Sequence, residues 1–209
     1  MWKSIEAAAP DAIFGLTAAF KQDTNPNKVN LGAGVYKNDQ GITPILDSVK
    51  QAERLLLDEE QTKSYLPISG DPLYTDCVQR LMFGEDSEVI ASGRAATAHA
   101  PGGTGALRIG GELIQKFNPG ATMWISSPTW ANHHGIFGAA GFQLKDYPYY
   151  NSDTKGLSYG EFISALAQVP AGDVVLLHGC CHTPTGVDLE PAQWGEVAAL
   201  AAENGWRGV

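Results

Sequence analysis

Apolar residues along this chain recur in two patterns. A spacing of three and four residues lines up one face of a helix, and unbroken apolar runs bounded by turns suit strands covered on both sides. Ile13, Leu16 and Phe20 follow the helical spacing until Asp23-Thr24-Asn25-Pro26-Asn27 breaks it. Val29 to Tyr36 is a short apolar stretch with glycines at 32 and 34, and Asn38-Asp39-Gln40-Gly41 reads as a turn. Ser48 and Gln51 predict a capping box for a helix with Val49, Ala52 and Leu56 in one stripe. Asp71-Pro72 predicts another helix start, with Leu73, Cys77 and Leu81 on one face and Gly84 at the end.

From about residue 95 the pattern alternates between strand and helix. Ala96–Ala100 predicts a short strand, Thr104–Phe117 a helix, Met123-Trp124-Ile125 a buried strand, Ala131–Ala140 a helix and Phe142–Tyr149 a strand. Ser158 with Glu161 predicts a capped helix carrying Phe162, Leu166 and Val169. Asp173 to His178 reads as one continuous buried strand, and Pro191 opens a helix through Trp194, Val197 and Ala201 that Gly205 closes. The valine that follows looks like the approach to a further strand. Such alternation predicts an α/β fold, with a parallel or mixed sheet covered by helices on both faces.

The chain has 209 residues and a net charge of −9, with its Lys and Arg scattered, so no nucleic-acid surface is expected. No apolar run is long enough to predict a membrane span, and the first residues lack a secretory signal pattern. Three cysteines, two of them adjacent, fit a reduced cytoplasmic protein.

Four segments are candidates for chemistry. Pro101-Gly102-Gly103-Thr104-Gly105 opens a helix, where free N–H groups and the helix dipole suit a phosphate. The same residues also suit a tight turn that binds nothing. Ser127-Pro128-Thr129-Trp130 lies past a strand's carboxyl end, where a tryptophan can stack on a flat ring or simply cap the sheet. His178-Gly179-Cys180-Cys181-His182 invites a metal reading, but adjacent thiolates rarely meet one tetrahedral zinc and no second cysteine pair occurs, so no metal site is expected. Gly32-Ala33-Gly34 suits either a close backbone approach to a carboxylate or a bulge. Tyr65 alone reads as surface or interface.

Six stretches in this order resemble the aspartate and aromatic aminotransferases of fold type I, the pyridoxal-phosphate (PLP) transferases. They are NLGAGVYKNDQGITP at 30–44, TKSYLPISG at 62–70, PGGTGALR at 101–108, SSPTWANH at 126–133, GDVVLLHGCCHTPTG at 172–186 and QWGEVAALAAENGW at 193–206. GGTGALR and HGCCH favour the aspartate branch. The resemblance implies an arm and small-domain segment over 1–44 and the first part of a large PLP-binding domain over 45–209. It implies Gly103 and Thr104 at the cofactor phosphate, Trp130 stacked on the pyridine ring, and His133 and His178 behind the pyridine-nitrogen partner. Gly34 is implied as a backbone contact to substrate. Tyr65 is implied to reach the phosphate of the neighbouring subunit in a homodimer. The implied reaction moves an amino group between L-aspartate and 2-oxoglutarate, giving oxaloacetate and L-glutamate. An aromatic substrate, or a non-catalytic product that only binds phosphate or another chain, is the alternative.

Two departures from the family pattern stand out. Thr183 occupies the place of an asparagine in the Asn-Pro-Thr-Gly turn that contacts both the cofactor ring oxygen and the substrate carboxylate. The family's Schiff-base lysine, pyridine-nitrogen aspartate, ring-oxygen tyrosine and carboxylate-binding arginine are expected beyond Val209. The 209 residues are therefore expected to be a fragment inactive by itself.

Overall fold

Strands with no polar face need cover on both sides, and the fold supplies it. A computed structural model describes residues 12–30, 32 and 34–209, without the side chains of residues 12–14. The expected arm over residues 1–11 lies outside the described residues, as do Leu31, Ala33 and the Ile13 side chain. The chain divides after Lys63 into two units.

The first unit holds helix α1 (Ala12–Gln22) and helix α2 (Asp47–Glu59). The expected capping box of α2 does not form. The Leu46 carbonyl already accepts from the amides of Val49 and Lys50, so Ser48 lies inside the helix rather than at its cap. The Val49 and Leu56 stripe faces water, and α2 buries no residue.

The second unit begins with α3 (Pro72–Phe83) and the short α4 (Glu88–Ala91). The start of α3 follows its sequence signals: Asp71 accepts from the amides of Leu73 and Tyr74 at 2.8 and 3.0 Å. Residues 96–100 are not a strand. Among the described residues no strand pairs with them, and they are tied to α3 instead. Gln79 Nε2 donates to Thr97 Oγ1, and the Tyr74 and His99 rings stack 4.2 Å apart.

The sheet follows. Helix α5 (Gly102–Phe117) leads into β1 (Thr122–Ser127), α6 (Asn132–Ala139) and β2 (Gln143–Pro148). A small antiparallel ribbon of β3 (Tyr150–Asn151) and β4 (Gly156–Leu157) precedes α7 (Tyr159–Leu166). Then come β5 (Val174–Val175), α8 (Pro191–Asn204) and β6 (Arg207–Gly208). The four main strands are parallel in the order β2-β1-β5-β6.

Alternation along each strand sends side chains to opposite faces. Met123, Ile125, Val174 and Leu176 pack on one side with Phe137, Leu107 and Ile114, under α5 and α6. Trp124, Val175 and Leu177 pack on the other with Phe162, Leu166, Val197 and Trp206, under α7 and α8. Gly111 allows α5 to approach α6, since a Cβ there would press on Phe137 and Ala140.

Two local expectations change, and one feature is new. The continuous strand from Asp173 is shorter: the ladder carries on through the Leu176 and Leu177 amides, but His178 lies beyond it. The Ser158 capping box is absent because the Ser158 amide donates to the Tyr149 carbonyl, leaving its hydroxyl to bond Glu161 directly. Glu190 and Gln193 form a capping box on α8 that sequence reading missed.

Candidate functional site

The order of the strands decides where a site can lie. From β1 the chain crosses to β2 on one side, and from β5 it crosses to β6 on the other. Between the carboxyl ends of β1 and β5 the connections diverge, which marks the usual place for a ligand in an open α/β sheet. The segments after these two strands are Pro128–His133 and His178–Gly186, both singled out by sequence.

A chain of rings and hydroxyls joins them. His133 and His178 meet edge to face at 5.2 Å, and Trp130 meets His133 in the same manner at 5.3 Å. His178 stacks on His182 at 4.2 Å, and His182 lies nearly parallel to Tyr149 at 4.0 Å. Burial pushes His133 and His182 down to about 4 and lowers His178, and the histidine neighbours add to the effect on the first two. All three rings are therefore neutral near pH 7.

Neutral rings let the hydrogen bonds fix the tautomers. The Thr183 amide donates to His178 Nδ1 at 3.3 Å, so the His178 proton sits on Nε2. That N–H points to Thr129 Oγ1 at 3.2 Å. The Thr129 hydroxyl then gives its single proton to His133 Nδ1 at 2.8 Å, leaving His133 to carry its own proton on Nε2. The array runs in one direction, from the Thr183 turn to His133, and makes His133 Nε2 a donor.

His182 is the member that sequence reading passed over except as a metal candidate. It is 2% exposed, with Ser126 Oγ 3.0 Å from Nε2 and Thr185 Oγ1 2.8 Å from Nδ1. The Asp188 carboxylate accepts from the amides of Cys181 and His182 at 2.7 and 2.8 Å, and these bonds, the His182 one first, hold it below the usual carboxylate range. The sequence signal was present: two histidines four residues apart across a turn, with an acid after it. Its meaning needed the stacking geometry.

The remaining candidates lie as follows. Gly103 and Thr104 are in the first turn of α5, and both are exposed. Leu107 and Ile114 of α5 lie on the same sheet face as Met123 and Ile125, and a short link joins Phe117 to β1. The helix therefore runs back along the sheet, and its first turn emerges at the carboxyl edge. No side chain caps that turn, and Gly102 and Gly103 leave open space where side chains would stand. Gly102 has φ +72°, which opens the helix at an angle a side chain would resist. Thr183 is exposed, and its hydroxyl turns back to the Cys181 carbonyl at 3.2 Å. Tyr65 is fully exposed. Gly34, also exposed, belongs to the first unit.

Among the described residues, no cluster of three or more His, Cys, Asp or Glu is arranged to hold a metal, and no helix is long and apolar enough to cross a membrane.

The chain is similar to several known proteins. The aspartate aminotransferase of Haemophilus influenzae is 52% identical over 206 residues, covering 99% of this chain and 52% of the relative. That of Escherichia coli is 46% identical with the same coverage. The crystal structure of an aromatic-amino-acid aminotransferase from Burkholderia pseudomallei, covalently bound to pyridoxal phosphate, is 44% identical and superimposes with a TM-score of 0.91 over all of this chain and 52% of that one. The chain thus spans about half the length of the relatives it matches. Residues 26–209 match the family of class I and II aminotransferases, and the chain belongs to that family.

Proposed function

We propose that these residues serve PLP-dependent transamination between L-aspartate and 2-oxoglutarate. The observation that carries the reading is the junction of the β1 and β5 loops through Thr129, His133 and His178 at the sheet's switch point. Identity reaches 52% with an aspartate aminotransferase against 45% with an aromatic-amino-acid aminotransferase, which favours aspartate over an aromatic substrate.

The residues present fit the cofactor. The uncapped first turn of α5 offers N–H groups and a positive dipole end to a phosphate, and its two open glycines admit the group closely. Trp130 supplies an indole edge-on to His133, suited to covering a heteroaromatic ring. Bound there, pyridoxal phosphate supplies an electron-poor ring that spreads the negative charge developing at a substrate Cα.

The protein's own part is positional. Gly103 and Thr104 hold the phosphate, and Trp130 excludes water from one ring face. His133, fixed as an Nε2 donor, orients the acceptor that pairs with the ring nitrogen. Gly34 offers backbone to the substrate, and Tyr65 reaches the cofactor phosphate of a second subunit in a homodimer. Amino acids and 2-oxo acids are the partners of the reaction.

Thr183 weakens this arrangement. Its one hydroxyl bonds the Cys181 carbonyl, so neither the ring oxygen nor the substrate carboxylate gains the donor that an amide would give. An unpaired buried partner costs about 1–3 kcal/mol, or roughly one to two orders of magnitude in rate. In a full-length polypeptide carrying these residues, Thr183→Asn is expected to raise kcat/KM for aspartate about tenfold or more. An unchanged value would refute the role given to Thr183. Binding of pyridoxamine phosphate by the chain itself tests the anchor, with phosphate-free pyridoxamine as the comparison. Equal affinity for the two would overturn the reading.

A further inference from the structure

The thiols of Cys180 and Cys181 take no part in the site just described, yet they sit on its most constrained turn. Both thiols are exposed, and Cys181 has φ +54°, unusual for a side-chain-bearing residue. The backbone on either side is pinned. The amides of Cys181 and His182 both donate to Asp188, and the Cys181 carbonyl accepts from Thr183. The neighbouring Cys180 thiol is first among the causes that push the Cys181 thiol up.

We propose that Cys180 and Cys181 form a redox-sensitive vicinal dithiol whose closure to a disulfide is reported to the histidine array. The reaction is exchange with a small-molecule disulfide. One cysteine thiolate attacks it, forming a mixed disulfide and releasing one thiolate. The second cysteine then attacks the protein sulfur of that mixed disulfide, forming the Cys180–Cys181 bond and releasing the other thiolate. Two protein thiol protons leave, the pair is oxidised by two electrons, and the oxidant is reduced to two thiols.

Adjacent α-carbons are about 3.8 Å apart across a trans peptide, below the usual span of about 4.4–6.8 Å for a disulfide. Closure therefore strains the turn, which makes the bond easy to reduce again. The strain falls on the Asp188 clamp, because the peptide between the cysteines carries one of its two amides. Loosening that clamp releases the His182 amide as well, and His182 stacks on both His178 and Tyr149. Neither Gly103 nor Trp130 is involved, so the proposal stands or falls separately from the phosphate anchor.

The test uses the chain with Cys77→Ser, which leaves only the adjacent pair. Treatment with oxidised glutathione is followed by intact mass and thiol titration. The expected product has lost both titratable thiols, carries no glutathione, weighs less by the two thiol hydrogens, has no disulfide between chains, and returns to the starting mass with dithiothreitol. Adding Cys180→Ser should trap one glutathione on Cys181. The His182 amide resonance should move on closure of the pair and stay in place in the trapped variant. Stable glutathione adducts on the intact pair, linkage between chains, or closure that leaves the His182 amide unmoved would each overturn the proposal.

Discussion

Phe162, Leu166 and Val174 in the sheet layer are sealed from water, whereas Leu73, Leu81, Met82 and Phe83 on α3 stand in it. Both regions belong to the unit that starts at Ser64. Both also obey local rules: α3 has an aspartate cap, a proline at its first position and a glycine after its last, and α8 has a capping box and a closing glycine. The difference lies in what each apolar face meets. The sheet layer has a partner on every side, since β1 and β5 lie between neighbours and helices cover both faces. Helix α3 meets the Thr97–His99 segment through a hydrogen bond and a ring stack and buries no residue. Caps and periodicity decide that a helix forms, while burial depends on a partner the local pattern does not contain.

The sharpest way to break the comparison is a matched pair of truncations. Phe162 is 0% exposed and touches the rings of Tyr147, Tyr149 and Tyr159, so Phe162→Ala should lower the unfolding free energy by about 3–5 kcal/mol in urea titration. Leu81 is 84% exposed, and Leu81→Ser should change it by about 0.5 kcal/mol or less. Similar losses from the two would mean that the regions do not differ as described.

Much of this was legible beforehand. Met123-Trp124-Ile125 and the run after Asp173 read as buried strands because they lack a polar face, and both are strands of one parallel sheet. The segments holding Trp130, His133 and His178 stand out just past strand ends, the roles of the two histidines come from the family resemblance, and the fold brings the three rings together. The strand expected at 96–100 failed for a reason the local pattern cannot carry. A strand needs hydrogen-bonding neighbours, and here the Gln79 and Tyr74 side chains hold the segment instead. His182 was missed because stacking between Tyr149 and His178 depends on two segments far apart in sequence.

Acid comes next in expected effect and is specific to the sheet side. Burial holds His133 and His182 at about 4, below the 6.5 of an unhindered ring, so the unfolded chain binds protons that the folded one refuses. Their contribution is complete above about pH 6.5 and is lost as the pH falls toward about 4. The urea midpoint should drop between about pH 7 and about pH 5, and His182→Asn should flatten that drop. An unchanged slope would remove His182 from the buried array.

A smaller effect tests the α3 side at its one tight point. Gly70 has φ +95°, and a Cβ there would overlap the His99 Cβ. Gly70→Ala should cost about 1–3 kcal/mol and loosen the Tyr74–His99 stack, read as a lower melting temperature and a changed near-ultraviolet circular dichroism signal. A neutral result would mean that this segment is held more loosely than its contacts imply.

The most direct measurement is an amide-resolved nuclear magnetic resonance titration of the chain with pyridoxamine phosphate, whose amine cannot condense with lysines. The account predicts the largest shifts at the amides of Gly103 and Thr104, with the Trp130 indole and the His133 ring moving in the same titration. Shifts confined to other surfaces, or movement at the indole with the α5 amides silent, would contradict it.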